Sequence, residues 1–306
     1  MNRNGFQGKD KTNNYFEGWY FKFVTGDEKR TISLIPSISL TDKKLGYLQV
    51  LDSEFQVADT IIFEENQIDF PEGAFIKLGD NWFDEEEVHL NMKTACHKYV
   101  GILKLTTQFT FQPSTYAPTI MGPFSYLKNM QCNHGLVSLK SKVDGFIMVD
   151  GKRLSFQSGT CYIEKDYGSS FPDSYLWLES HHAKKHDATI FLSRAHIPFP
   201  ILSFTGLICV LRDSEKQYTF ATWNGAKSEF KHKNGTYQVF VQKRDYKLTI
   251  TWKQKHTYLL NSPKNGKMDD HIKESLMDEF KVVLKKKEQI LFQDTFSCGS
   301  SEIFKL

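Results

Sequence analysis

Period-two alternation, interrupted every few residues by a turn signal, runs through almost all of this 306-residue chain. Short strand-like runs recur at Thr31–Ser39, Leu45–Leu51, Ala58–Phe63, Glu87–Thr94 and Tyr99–Phe111. They resume at Tyr175–Ser180, Ala188–His196, Phe204–Leu211, Tyr237–Lys243 and Lys247–Thr251. Turn formers separate them: Thr25-Gly26-Asp27, Gly79-Asp80-Asn81, and the hairpin dipeptides Asp150-Gly151, Asn224-Gly225 and Asn234-Gly235. Helical periodicity is weak throughout, and the one helix candidate, Met268–Met277, reads equally well as extended. Such a chain has to pair its strands into sandwiches or barrels, so the expected fold is all-β. The preferred division is two similar β units, residues 1–155 and 156–306, with one continuous large barrel as the alternative.

Composition narrows the function. Hydrophobic residues make up 40 % and aromatics 14 %, with 25 Phe, which suits strands and also a cavity for a large apolar ligand. A formal charge of +3 is too small a surplus to recruit nucleic acid. The basic cluster Lys285-Lys286-Lys287 lies between two alternating runs and reads as a solvated hairpin turn. Five cysteines without a CxxC pair, and an N-terminus without an apolar signal core, point to a reducing, cytoplasmic setting. No run reaches the ~18 apolar residues of a membrane-spanning helix. The greasiest stretch, Ile197–Leu211, is broken by Pro198 and Pro200; it reads as a buried strand, with transient contact to a membrane surface left open.

Most of the candidate chemistry falls between Met121 and Leu178. In the run Tyr162-Ile163-Glu164-Lys165-Asp166-Tyr167, strand alternation puts Tyr162, Glu164 and Asp166 on one face and Ile163, Lys165 and Tyr167 on the other. Near the N-terminus, Glu17, Trp19, Phe21 and Phe23 share a face, with Tyr20 and Lys22 on its reverse. An acid among aromatics is either a paired structural carboxylate or part of a pocket. His134, next to Gly135, is either a buried turn residue or a group that orients a phenol or relays a proton.

Four stretches together resemble the tocopherol cyclase family: Tyr15-Phe16-Glu17-Gly18-Trp19-Tyr20-Phe21-Lys22, Met121-Gly122-Pro123-Phe124-Ser125-Tyr126, His134-Gly135-Leu136-Val137-Ser138-Leu139, and Tyr162 through Pro172. The chain departs from the family pattern around His134, where Gln131 and Asn133 stand in place of an acid and a phenol, and at Tyr167, where the family has Trp. The resemblance implies two lipocalin-like (calycin-like) β units. It also implies a cofactor-independent cyclase that closes a ring on a prenylated hydroquinone or related isoprenoid. An alkene is protonated and an internal hydroxyl captures the cation. Glu164 and Asp166 are the expected acid and partner, with Glu17 and His134 next; Trp19, Phe124, Tyr126, Tyr162 and Trp177 are the expected substrate-facing aromatics.

A carboxyl that protonates an alkene must be neutral near pH 7. Raising its pKa by ~3 units takes about 4 kcal/mol. A second carboxylate ~7 Å away supplies roughly 2.4 kcal/mol at an effective dielectric of ~20. Apolar burial is therefore expected to supply much of the shift, with the acids lining an aromatic cavity. Two other readings stay open: a non-catalytic carrier of a hydrophobic molecule, and an alkene hydratase using water as nucleophile. His181-His182-Ala183-Lys184-Lys185-His186 would present two ligands only on a helix, and the segment reads as a loop, so no metal or other cofactor is expected.

Overall fold

The computed structural model describes residues 3–127, 130–198 and 203–306. Among these the only helical pieces are four short 3-10 turns; everything else regular is strand. The strands form two nearly closed, barrel-shaped sheets in a lipocalin-like two-unit fold. Among the described residues the first sheet has 12 strands and the second 11. The compact units are interleaved in sequence. One gathers Met1–Phe111, Leu127–Phe171 and Leu260–His271; the other gathers Gln112–Tyr126, Pro172–Leu259 and Ile272–Leu306. A division between residues 155 and 156 would fall between strands Lys152–Ser155 and Gly159–Gly168, and both of these lie in the first sheet.

Four strands position the chemistry: β1 (Tyr15–Val24), β2 (Thr31–Leu40), β3 (Cys132–Val149) and β4 (Gly159–Gly168). Their order in the first sheet is β2-β1-β4-β3, all antiparallel. β1 and β4 are far apart in sequence, and their register pairs Gly18 with Asp166, Tyr20 with Glu164 and Lys22 with Tyr162. Strand alternation then sorts both strands by face. Tyr15, Trp19, Phe21 and Phe23 of β1, with Cys161 and Ile163 of β4, join the first hydrophobic core.

Aromatic side chains fill that core. Trp19 stacks on Phe75 at 5.8 Å, Phe21 packs on Phe83 at 5.5 Å, and Phe23 meets Phe156 edge-on at 6.0 Å. Trp19, Phe21 and Phe23 are fully buried, each contributing roughly 1.5–3 kcal/mol. The Phe-rich composition that suggested room for an oily ligand thus goes into packing in the first unit. The second unit builds its own core from residues such as Leu176, Leu178, Ile190, Val239, Trp252 and Phe280.

The turn readings divide. Asp150-Gly151 and Asn234-Gly235 sit at positive φ in two-residue hairpins. Asn224-Gly225 instead closes a 3-10 turn, Thr222–Asn224, with Gly225 as a left-handed cap. The flanking strands Gln217–Ala221 and Lys227–Lys233 pair with other neighbours. Met268–Met277 is extended, within a long strand at Lys267–Lys286, and the Lys285–Lys287 cluster leads into the hairpin that follows it. Of the stretch considered for lipid contact, residues 199–202 lie outside the described residues.

Candidate functional site

β4 separates two sets of charges, one on each face. On the core-facing side, Lys165 Nζ lies 2.6 Å from Glu17 Oε1, and both side chains are buried. Glu17 also accepts from the backbone N–H groups of Gln7 and Gly8 at 2.9–3.0 Å and from the Tyr15 hydroxyl at 2.5 Å. Lys165 donates to the carbonyls of Arg3 and Gly5 and lies over the rings of Trp19 and Tyr167. Burial pushes the Lys165 ammonium below its ordinary pKa, and Glu17 opposes that shift. Trp19 Nε1 donates to the Asn4 carbonyl at 2.8 Å. This set ties the N-terminal segment to the barrel interior.

The opposite face carries Tyr162, Glu164 and Asp166, as alternation requires. β3 pairs with β4 so that His134 faces Asp166. His134 Nδ1 lies 2.8 Å from Asp166 Oδ1, and Nε2 lies 3.6 Å from Glu164 Oε2. Tyr162 donates to Glu164 Oε2 at 2.5 Å, and the Cys132 thiol donates to Asp166 Oδ1 at 3.7 Å. Tyr162, Glu164, His134, Asp166 and Cys132 thus form one continuous row. The His134, Glu164 and Asp166 side chains are 11 %, 6 % and 19 % exposed, so the row is desolvated but still reached by solvent.

Burial alone would drive the His134 proton off. The carboxylates of Asp166 and Glu164 outweigh it and raise the imidazole pKa to about 9. Burial, then Asp166, pushes the Cys132 thiol well above its ordinary value, so it stays protonated. The cluster holds a proton at neutral pH because a cation sits between two anions. This differs from the expectation that apolar walls keep one carboxyl neutral: the long-range pairing of β3 with β4 supplies a counter-charge that strand patterning does not show.

One ligand atom from each of His134, Glu164 and Asp166 lies within 4.8 Å of the others, the sole such grouping among the described residues. His134 turns a different ring nitrogen to each carboxylate. The two nitrogens of an imidazole point apart, and each stands toward its own acid. The His181–His186 segment is mostly irregular. His181 pairs with Glu179 at 3.2 Å and His186 with Asp294 at 2.8 Å.

The structure therefore brings together Glu164, Asp166, His134 and Tyr162 of the expected site. Glu17 and Trp19 are separated from them, on the other face of the same sheet, because the register sets even-numbered residues of β1 beside Glu164. Phe124, Tyr126 and Trp177 belong to the second unit. There Phe124 stacks on Phe204 at 6.0 Å, Tyr126 is 63 % exposed, and Trp177 is buried in Tyr175–Ser180. A groove of about 260 Å³ bordered by Ile61, Phe63, Asn81 and Asn91 includes none of these residues. Sequence reasoning missed Cys132, whose spacing of two from His134 on a strand was the available signal. It also missed Tyr20 and Lys22 as buried neighbours of the acid face.

Fold and site together define a two-unit lipocalin-like β protein with a buried histidine between two carboxylates on a sheet face. The tocopherol cyclase-like family model matches residues 104–303, and the chain belongs to that family. Among solved structures it is similar to CghA bound to Sch210972 (TM-score 0.58, 9 % identity, covering 95 % of this chain and 88 % of that one). It is also similar to kievitone hydratase from Nectria haematococca (0.56, 6 %, 94 % and 89 %). A protein provisionally assigned as AttH from Nitrosomonas europaea is comparable (0.56, 11 %, 99 % and 95 %). At such identities these likenesses establish the fold alone. No curated protein sequence matches the chain.

Proposed function

We propose that the protein is an enzyme of the cyclase or hydratase kind that adds an O–H group across a carbon–carbon double bond. The substrate is a hydrophobic small molecule, a prenylated hydroquinone or a related terpenoid. One observation carries this reading: His134 stands between two carboxylates on a desolvated sheet face that the hydrophobic core does not use. Family membership supports the reaction class. A face lined with charge suits chemistry better than passive storage of oil, and the packed first core supports that preference. The five unbridged thiols support a reducing, cytoplasmic setting, and no helix among the described residues is long and apolar enough to cross a membrane. Transient contact with a membrane surface is the route by which so oily a substrate would be collected.

In the proposed cycle, Asp166 holds the Nδ1–H of His134 and leaves Nε2 as the working nitrogen. The Nε2 proton passes to Glu164, and Glu164 delivers it to the alkene carbon. The substrate phenol captures the resulting tertiary cation, and its proton returns to the cluster. No proton is consumed and nothing is oxidised. The proton moves uphill from a raised imidazole to Glu164, and a turnover near one per second leaves about 17 kcal/mol for this step and the chemistry together. Water in place of the phenol gives the hydratase outcome with the same proton path.

The test is incubation of purified protein with prenylated hydroquinones, followed by mass and chromatographic analysis. Ring-closed product of unchanged mass supports the cyclase, and a product heavier by one water supports the hydratase. Quinol recovered bound but unchanged would replace both with a carrier.

A further inference from the structure

We infer that Tyr162 is a positioning residue of this site: its hydroxyl fixes the Glu164 carboxylate against His134, and its ring does not face the substrate. The kinetic consequences hold only if the site carries out the reaction proposed above; the spectroscopic ones do not depend on it.

Three features of the structure lead to this assignment. Tyr162 and Glu164 are two apart on β4, so both point to one side of the sheet, and the phenol reaches Glu164 Oε2 at 2.5 Å. That same oxygen is the one 3.6 Å from His134 Nε2. A carboxylate oxygen accepts in two directions; with the phenol in one, the other is directed at the imidazole. The terminal torsion of a glutamate is broad and roughly two-fold, so a fixed donor on Oε2 helps keep that oxygen turned toward the ring.

Secondly, the Tyr162 ring is enclosed. It is 1 % exposed, its register partner Lys22 is fully buried, and the Tyr20 ring meets it edge-on at 6.4 Å and 65°. A ring so covered has no face to offer a substrate cation, which is the role its aromatic character first suggested. Lastly, the neighbouring phenol serves as an internal comparison. Tyr20 lies on the same face, and its hydroxyl pairs with Ser33 Oγ at 3.0 Å. The two tyrosines share ring chemistry and burial, so the pair compares a phenol bound to Glu164 with one bound to a serine.

The physical consequence runs through His134. A phenol donating to Glu164 draws off part of the negative charge that the imidazole feels. Removing the hydroxyl returns that charge to His134 while leaving the ring and its packing in place.

The experiment compares Tyr162→Phe and Tyr20→Phe with the native protein by NMR titration of the His134 imidazole, with no substrate present. The Tyr162→Phe variant should titrate higher by roughly 0.5–1 unit, the size of one hydrogen bond to a charged group. Tyr20→Phe should shift the titration less than Tyr162→Phe does. In turnover, Tyr162→Phe should lower kcat about 10–100-fold through lost alignment, with KM unchanged. A Tyr162→Phe protein whose His134 titrates normally overturns the assignment. So does one whose KM rises while kcat holds, because that would make the phenol a substrate contact. If native protein turns over no prenylated quinol, the reaction proposed above fails, and the titration still decides the role of Tyr162.

Discussion

Glu17 and Glu164 are both buried acids on adjacent strands of one sheet, and they differ in what surrounds them. Glu17 receives a lysine, two backbone N–H groups and a tyrosine hydroxyl, and it faces a core packed with aromatics. Glu164 faces away from that core, accepts from the Tyr162 hydroxyl and shares an imidazole with a second acid in a spot that solvent still reaches. The contrast shows that burial alone does not mark a chemical acid. In the proposed reading, the carboxylate paired with a lysine holds structure together, and the one beside a protonated imidazole transfers the proton.

The largest expected effects come from breaking each side separately. Lys165→Met leaves Glu17 charged, buried and without its cation; we expect stability to fall by about 3–5 kcal/mol, read as a lower denaturant midpoint. Glu164→Gln removes the proton carrier and should cost about 10²–10⁴-fold in turnover, with a smaller drop in denaturant midpoint than Lys165→Met gives. If Glu164→Gln unfolds the protein and Lys165→Met spares it, the two roles are reversed. A smaller effect is expected for Asp166→Asn. It keeps the shape of the row but weakens the hold on Nδ1, so turnover should fall while the fold and quinol binding persist, as kinetics and equilibrium binding would show.

The pH dependence of stability sharpens the comparison further. The native His134 binds its proton with a pKa of about 9, above the ~6.5 of an unfolded chain. Between these values the native state holds more protons than the unfolded state, so stability falls as pH rises. The contribution is complete below about pH 6.5 and gone above about pH 9. His134→Gln should flatten denaturant midpoints across that window, whereas a slope equal to the native one would remove His134 as its source. The smallest change is expected at Tyr126→Ala, where an exposed side chain should alter stability by no more than about 0.5 kcal/mol.

Local patterning made much of this legible. Alternation alone placed Tyr162, Glu164 and Asp166 together and Lys165 opposite, and it grouped Glu17 with Trp19, Phe21 and Phe23. The Asp150-Gly151 and Asn234-Gly235 hairpins could be read because two left-handed residues in succession leave few alternatives. What stayed hidden was long-range register. No local feature says that β1 pairs with β4 so that Tyr20, rather than Glu17, stands beside Glu164. Nor does any say that His134 lands opposite Asp166. Asn224-Gly225 looked like a hairpin for the same reason: a turn dipeptide reports its own backbone, not which strands flank it.

The central claim is that Glu164, supplied by His134, places a proton on carbon. Native protein and Glu164→Gln can be incubated with a prenylated hydroquinone in heavy water, and the product examined by mass spectrometry and NMR. The account predicts one deuterium on the former alkene carbon of a ring-closed or hydrated product with native protein, and almost none of that product with the variant. Equal yields from the two proteins, or product formed without deuterium on carbon, would contradict it.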